Sequence, residues 1–129
     1  MTGSFMRILA TRYFSRWAQH DRLSKDKICK AVFELQNGLH DGNLGGSIYK
    51  KRIGIGNRGK RDSVRTIIAF QISNNVFCLY GYPKNERDNI DHDELNAFKK
   101  AAKYYLNLNN MEIDRLIKMG ELIEVKSHE

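Results

Sequence analysis

Three runs rich in β-branched and aromatic residues, at 47–55, 64–72 and 76–82, follow one another through the middle of the chain. The last two are separated only by Ser73, Asn74 and Asn75. Runs of this length bounded by turn residues read as strands, and strands joined by so few residues pair antiparallel, because a parallel return needs a crossover of about a dozen residues. The centre of the chain therefore specifies a β-meander, and the flanking segments must fold around it.

Ahead of the meander, residues 6–10 form a short apolar strand. Residues 11–20 place Tyr13, Phe14 and Trp17 on one face of a short helix. Ser24 then supplies an N-cap for a helix whose apolar residues Ile28, Ala31, Val32, Leu35 and Leu39 recur at steps of three and four, with Gly38 as the breaker. Residues 40–46 are rich in turn formers and read as a loop. After the meander, Asp91 with Glu94 three residues on makes a capping box for a helix with Leu95, Phe98, Ala102 and Tyr105 as its buried stripe. A shorter helix starts at Asn110 and ends at Gly120, leaving 121–125 extended. The order predicts an α+β fold with helices on one sheet face and the other face open. At 129 residues and 15.0 kDa it is expected to be one domain over 1–129, with a C-terminal extension at about 108–129.

A content of 41% hydrophobic and 29% charged residues with a single proline suits a folded domain rather than a disordered tail. No apolar run approaches the ~20 residues of a membrane span, and the first residues lack the unbroken apolar core of a secretory signal, so a cytoplasmic protein without membrane contact is expected. Cys29 and Cys78 are too few for a disulfide framework and read as buried thiols. His20, His40, His92 and His128 lack zinc-type spacing. Neither metal nor cofactor is expected.

Charge is what narrows the function. The chain carries a formal +7 with a pI near 9.5. Seven basic residues between 48 and 66 (Lys50, Lys51, Arg52, Arg58, Lys60, Arg61, Arg65) face only Asp62 there, a local excess of +6. A positive field this concentrated attracts polyanions, nucleic acid foremost. Lys50 and Arg52 are two apart on one strand and so point the same way.

Gly54 to Gly59 spells G-x-G-x-x-G and, with Lys60, most of a P-loop. Both motifs need a helix directly after the glycines, and the P-loop needs Ser or Thr where Arg61 stands. A β-branched run follows instead, which argues against nucleotide binding; the glycines shape a hairpin loop carrying Arg58, Lys60 and Arg61 outward. Downstream, Lys84, Asn85, Glu86 and Arg87 leave the last meander strand beside the one bearing Arg65 and could converge with it on one groove. The plainer reading is a surface ion pair of Glu86 with Arg87.

Three stretches carry a resemblance: Ile48-Tyr-Lys-Lys-Arg-Ile53, Gly59-Lys-Arg-Asp-Ser-Val-Arg-Thr-Ile-Ile-Ala-Phe70 and Phe77-Cys-Leu-Tyr-Gly-Tyr-Pro-Lys-Asn-Glu-Arg-Asp-Asn-Ile90. Jointly they resemble the core of the RelE/HigB toxins of bacterial type II toxin–antitoxin systems. The resemblance implies a RelE-like fold and a metal-independent endoribonuclease that cuts mRNA in the ribosomal A site, in contact with ribosomal RNA. It also implies a cognate antitoxin, expected to be of helix-turn-helix type. In that chemistry the RNA 2′-OH attacks the adjacent phosphorus and the 5′-oxygen leaves. By position, Lys50 and Arg52 match the family's basic strand pair and Arg65 its central-strand arginine, while Lys84, Asn85 and Arg87 match its basic turn. Arg65 would grip the phosphate through two oxygens, Lys50 or Arg52 would help activate the 2′-OH or steady the transition state, and Lys51, Arg58, Lys60 and Arg61 would hold RNA backbone. In the best-known members an arginine stands at the place of Asn85 and a tyrosine at that of Asp91; HigB-type relatives share the Lys-Asn-Glu form, and His92, Tyr80 and Tyr82 are the replacements within reach. Two other readings fit the same charges: a ParE-like toxin that inhibits gyrase without cleaving RNA, and a non-catalytic nucleic-acid-binding module.

Overall fold

The computed structural model describes residues 6–55 and 63–127. In chain order the elements are β1 (Ile8–Thr11), α1 (Arg12–His20), α2 (Lys25–Gln36), β2 (Gly42–Gly45), β3 (Ile48–Gly54), β4 (Ser63–Ala69), β5 (Val76–Pro83), α3 (His92–Leu106), α4 (Asn110–Lys118) and β6 (Leu122–Glu124). The strands form one sheet in the order β2-β3-β4-β5-β1-β6. The β3-β4-β5 meander is antiparallel as expected, and the architecture is α+β, consistent with a RelE-like fold.

Local chemistry sets most of the boundaries. Ser24 and Asp91 cap α2 and α3 by accepting the backbone N–H of Lys27 and Glu94, and Asn109 caps α4 in the same way through Glu112. Gly38, with φ of +84°, follows the end of α2, and this left-handed turn throws Leu39 off the apolar stripe, leaving it 58% exposed rather than buried. Residues 42–45, expected as loop, form the edge strand β2: they pair with β3, Gly42 opposite Lys50, so tertiary pairing overrides a glycine-rich sequence.

The sheet is covered on both faces, which corrects the expectation of one open face. Phe14, Ala18, Ile28, Ala31, Val32 and Leu35 of α1 and α2 pack on Ile53, Val64, Ile68 and Cys78. On the other face, Ala102, Leu106 and Ile113 of α3 and α4 pack on Leu9, Ile48, Ile67, Ala69 and Phe77. The alternation of β4 between these cores is why all its residues are buried. The C-terminal segment is part of this second core: β6 pairs antiparallel with β1, Leu122 and Ile113 are fully enclosed, and Arg7 ties Glu124 (2.9 Å) to Asp114 (2.8 Å). No described helix is long and apolar enough to cross a membrane.

Candidate active site

On the α3 side of the sheet, the two basic strand positions of β3 and the arginine of β4 come together. Register sets Arg52 directly opposite Arg65, and Arg65 opposite Tyr82 of β5. Lys50, two residues before Arg52, points to the same side, opposite Ile67, whose other neighbour is Tyr80. A bulge between Ile67 and Ile68 shifts the pairing of β5, which is what brings Tyr80 and Tyr82 onto this face although Val76 and Cys78 face the other.

Like charges directly opposite each other on neighbouring strands oppose folding, and here Arg65 is buried and Arg52 half-buried. Arg65 is 8% exposed; its hydrogen bond among the described residues is a long one, Nη1 to Ser63 Oγ at 3.5 Å. Arg52 Nε is buried without a partner among the described residues. No carboxylate among the described residues pairs with either group. Two cations side by side, with no carboxylate partner among the described residues, can be satisfied together by one phosphate.

The segment after β5 folds over this face. Tyr82 donates its hydroxyl to Asp88 O (3.2 Å), the Arg87 guanidinium lies 5.5 Å from the centroid of the Tyr82 ring, and Lys50 Nζ donates to Asn89 Oδ1 (2.8 Å). Arg87 does not pair with Glu86. It grips Glu94 with both terminal nitrogens, Nη1 to Oε2 at 3.0 Å and Nη2 to Oε1, and donates Nε to Asn89 O at 3.1 Å. Those hydrogen bonds push the Arg87 pKa up and hold the Glu94 carboxyl below the ordinary carboxylate range. Burial raises the Tyr82 phenol, against the opposing pull of the Arg65 and Arg87 charges. Tyr80 stacks on Tyr13 of α1, centroids 5.5 Å apart, and burial together with Tyr80 raises the Tyr13 phenol as well.

Lys84 and Asn85 sit at the end of β5, exposed. With Asp21, Ile55, Ser63, Val64 and Pro83 they line a concavity of about 550 Å³, and Ser63 links it to Arg65. Lys51 is not part of the assembly. Strand alternation turns it toward α2, where it is 7% exposed and ion-paired to Glu34 at 3.0 Å, so its expected contact with RNA backbone is withdrawn. Arg58, Lys60 and Arg61 lie outside the described residues. Asp91 is the helix cap of α3, and His92 is exposed in its first turn.

Three participants escaped the sequence reading. Asn89 was an undistinguished turn residue, Glu94 counted only as half of a capping box, and Ser63 had no role. Glu94 had a signal: a carboxylate in the first turn of a helix, seven residues after a basic turn residue, is placed to reach back across the cap.

No curated protein matches the chain. A family model described as the RelE toxin of the RelE / RelB toxin–antitoxin system matches residues 6–125, nearly the whole described fold including β1 and β6. The chain thus belongs to the RelE toxin family, the toxin side of a toxin–antitoxin pair.

Proposed function

We propose that this toxin is a ribosome-dependent endoribonuclease that cleaves mRNA in the A site by metal-independent attack of a 2′-OH on its own phosphate. The observation that carries the reading is the Arg52–Arg65 pair, opposed in register, with Arg65 and the Nε of Arg52 buried and no carboxylate partner among the described residues. A non-bridging phosphate oxygen entering between them gains charge-assisted hydrogen bonds from both, and these strengthen as the phosphorane accumulates charge.

In the step itself, the 2′-oxygen forms a bond to phosphorus, the bond from phosphorus to the 5′-oxygen breaks, and a cyclic phosphate remains. The 2′ proton leaves to a base, and the departing 5′-oxygen takes up a proton. Arg65 and Arg52 hold the phosphate. Lys50, beside them, lowers the charge cost at the 2′-oxygen or in the transition state. Lys84 and Asn85, at the mouth of the neighbouring concavity, hold the adjoining nucleotide, Asn85 through its amide. The family implies an antitoxin partner; a small helix-turn-helix protein encoded alongside would fit that role.

The decisive experiment is cleavage in a purified translation reaction. Arg65→Ala should lower cleavage of ribosome-bound mRNA by about 10²- to 10³-fold while thermal unfolding and ribosome binding change little. Wild-type cleavage by that variant would refute the assignment. Unchanged translation with altered gyrase supercoiling would favour the ParE-like reading, and salt-sensitive RNA binding with no scission would favour a simple binder.

A further inference from the structure

A single line of hydrogen bonds runs from the N-terminal turn of α3 to Lys50 on β3. Glu94 accepts the Asp91 backbone N–H (2.9 Å) while its own N–H donates to Asp91 Oδ1 (2.8 Å), so its carboxylate is fixed by the helix cap. That carboxylate holds both terminal nitrogens of Arg87. The Nε of Arg87 then fixes the carbonyl of Asn89 at 3.1 Å, and the Asn89 side chain receives the Lys50 ammonium at 2.8 Å. Every link is charge-assisted or made to backbone, and the planar guanidinium leaves little freedom at its centre. The Arg87 face rests on the Tyr82 ring, whose hydroxyl fixes Asp88 O, so the 87–89 strap is anchored at both its neighbours.

The geometry points to Glu94 and Asn89 as positioning residues: they hold the Lys50 ammonium beside the Arg52–Arg65 anion site, and Arg87 acts as the rigid spacer between them rather than as a phosphate ligand. A lysine on a four-carbon stem with no such restraint samples many rotamers, and about 1 Å of misplacement at a reacting centre costs up to about 10²-fold in rate. Asn89 supplies an uncharged acceptor, which orients the ammonium without neutralising it, whereas a carboxylate at that place would cancel the charge the site needs. The charge cancellation happens one step back, between Arg87 and Glu94. This inference rests on the nuclease reading for its kinetic consequence, but not for its geometry.

The test therefore has two arms. In the first, the intact protein is treated with a limiting amine-acylating reagent, and the modification of each lysine is read by mass spectrometry. Asn89→Ala should raise acylation of Lys50 several-fold while Lys84 is unchanged; Glu94→Gln, which keeps an acceptor for the Asp91 N–H and so preserves the cap, should raise it by a smaller factor. Unchanged Lys50 reactivity in both variants overturns the inference whether or not the protein cleaves RNA. In the second, kcat and KM for programmed ribosomes are measured for Lys50→Ala, Asn89→Ala and the double variant. Asn89→Ala should lower kcat about tenfold with KM little altered, and the double variant should be no worse than Lys50→Ala alone, because Asn89 acts only through that ammonium. Multiplicative losses would show a merely structural role and refute it. Absence of cleavage by the wild type would refute the nuclease reading alone and leave the acylation arm to decide the positioning.

Discussion

Lys50, Lys51 and Arg52 show how much one residue of register decides. The sequence makes them one basic cluster, yet the pleat sends the middle one to the opposite face, where Glu34 of α2 neutralises it. Alternation along the strand already contained this result, since Lys50 and Arg52 sharing a face means that Lys51 does not; what no local pattern held was the identity of its partner on α2. Lys51→Met should therefore leave RNA cleavage unchanged and stability close to wild type. Glu34→Ala, which strands a buried ammonium, should cost on the order of 2 kcal/mol in urea unfolding. The two thiols separate in the same manner. Burial pushes the Cys78 thiol up to about 12, and Cys29 sits half-buried. A thiol reagent should label Cys29 alone in the native protein and Cys78 only on unfolding. Arg7 holds the Glu124 carboxyl below its ordinary value of 4.5, chiefly by hydrogen bonding. The folded state thus releases that proton more readily than the unfolded chain, so its stabilising share is complete above about pH 5 and fades as pH falls through 4.5 toward the folded value. Urea midpoints measured across that range should decline less steeply in Glu124→Gln.

Among the elements, those announced by chemistry within a few residues were legible. Ser24, Asp91 and Gly120 mark helix ends, and the two long β-branched runs and the short turn between them mark the meander. What was hidden depended on distant partners. β2 has no strand propensity and exists because β3 offers it an edge. The bulge in β5 that delivers Tyr80 and Tyr82 to the site leaves no local trace, and Arg65 is buried only because both faces of its strand are covered. Gly81 is a further case: a Cβ there would lie 2.1 Å from the Trp17 ring, so α1 docks on bare backbone between the two tyrosines. Gly81→Ala should destabilise the protein by about 2 kcal/mol or more, read as a fall in urea midpoint, by forcing α1 off the strand. Asp91→Ala removes the cap of α3 and should cost about 1 kcal/mol, whereas Asp91→Asn, which can still accept the helix N–H, should cost a few tenths.

For the molecule as a whole, the segment expected as an extension is a structural half of the second core. Deleting residues 108–129 removes Ile113 and Leu122 from the second core and leaves β1 with a bare edge. The truncated chain should be insoluble or lack a cooperative thermal transition. The expectation misjudged this because a short helix with a three-residue strand shows no sign of its partners, which lie at the opposite end of the sequence. That same placement governs the order in which the sheet can assemble. β1 is made early but lies between β5 and β6, so its two neighbours are supplied late, one of them by the last strand of the fold. Pairings so remote in sequence form slowly and only once both segments are free. β1 therefore waits for both β5 and β6, and closing the sheet around it is a late event of folding.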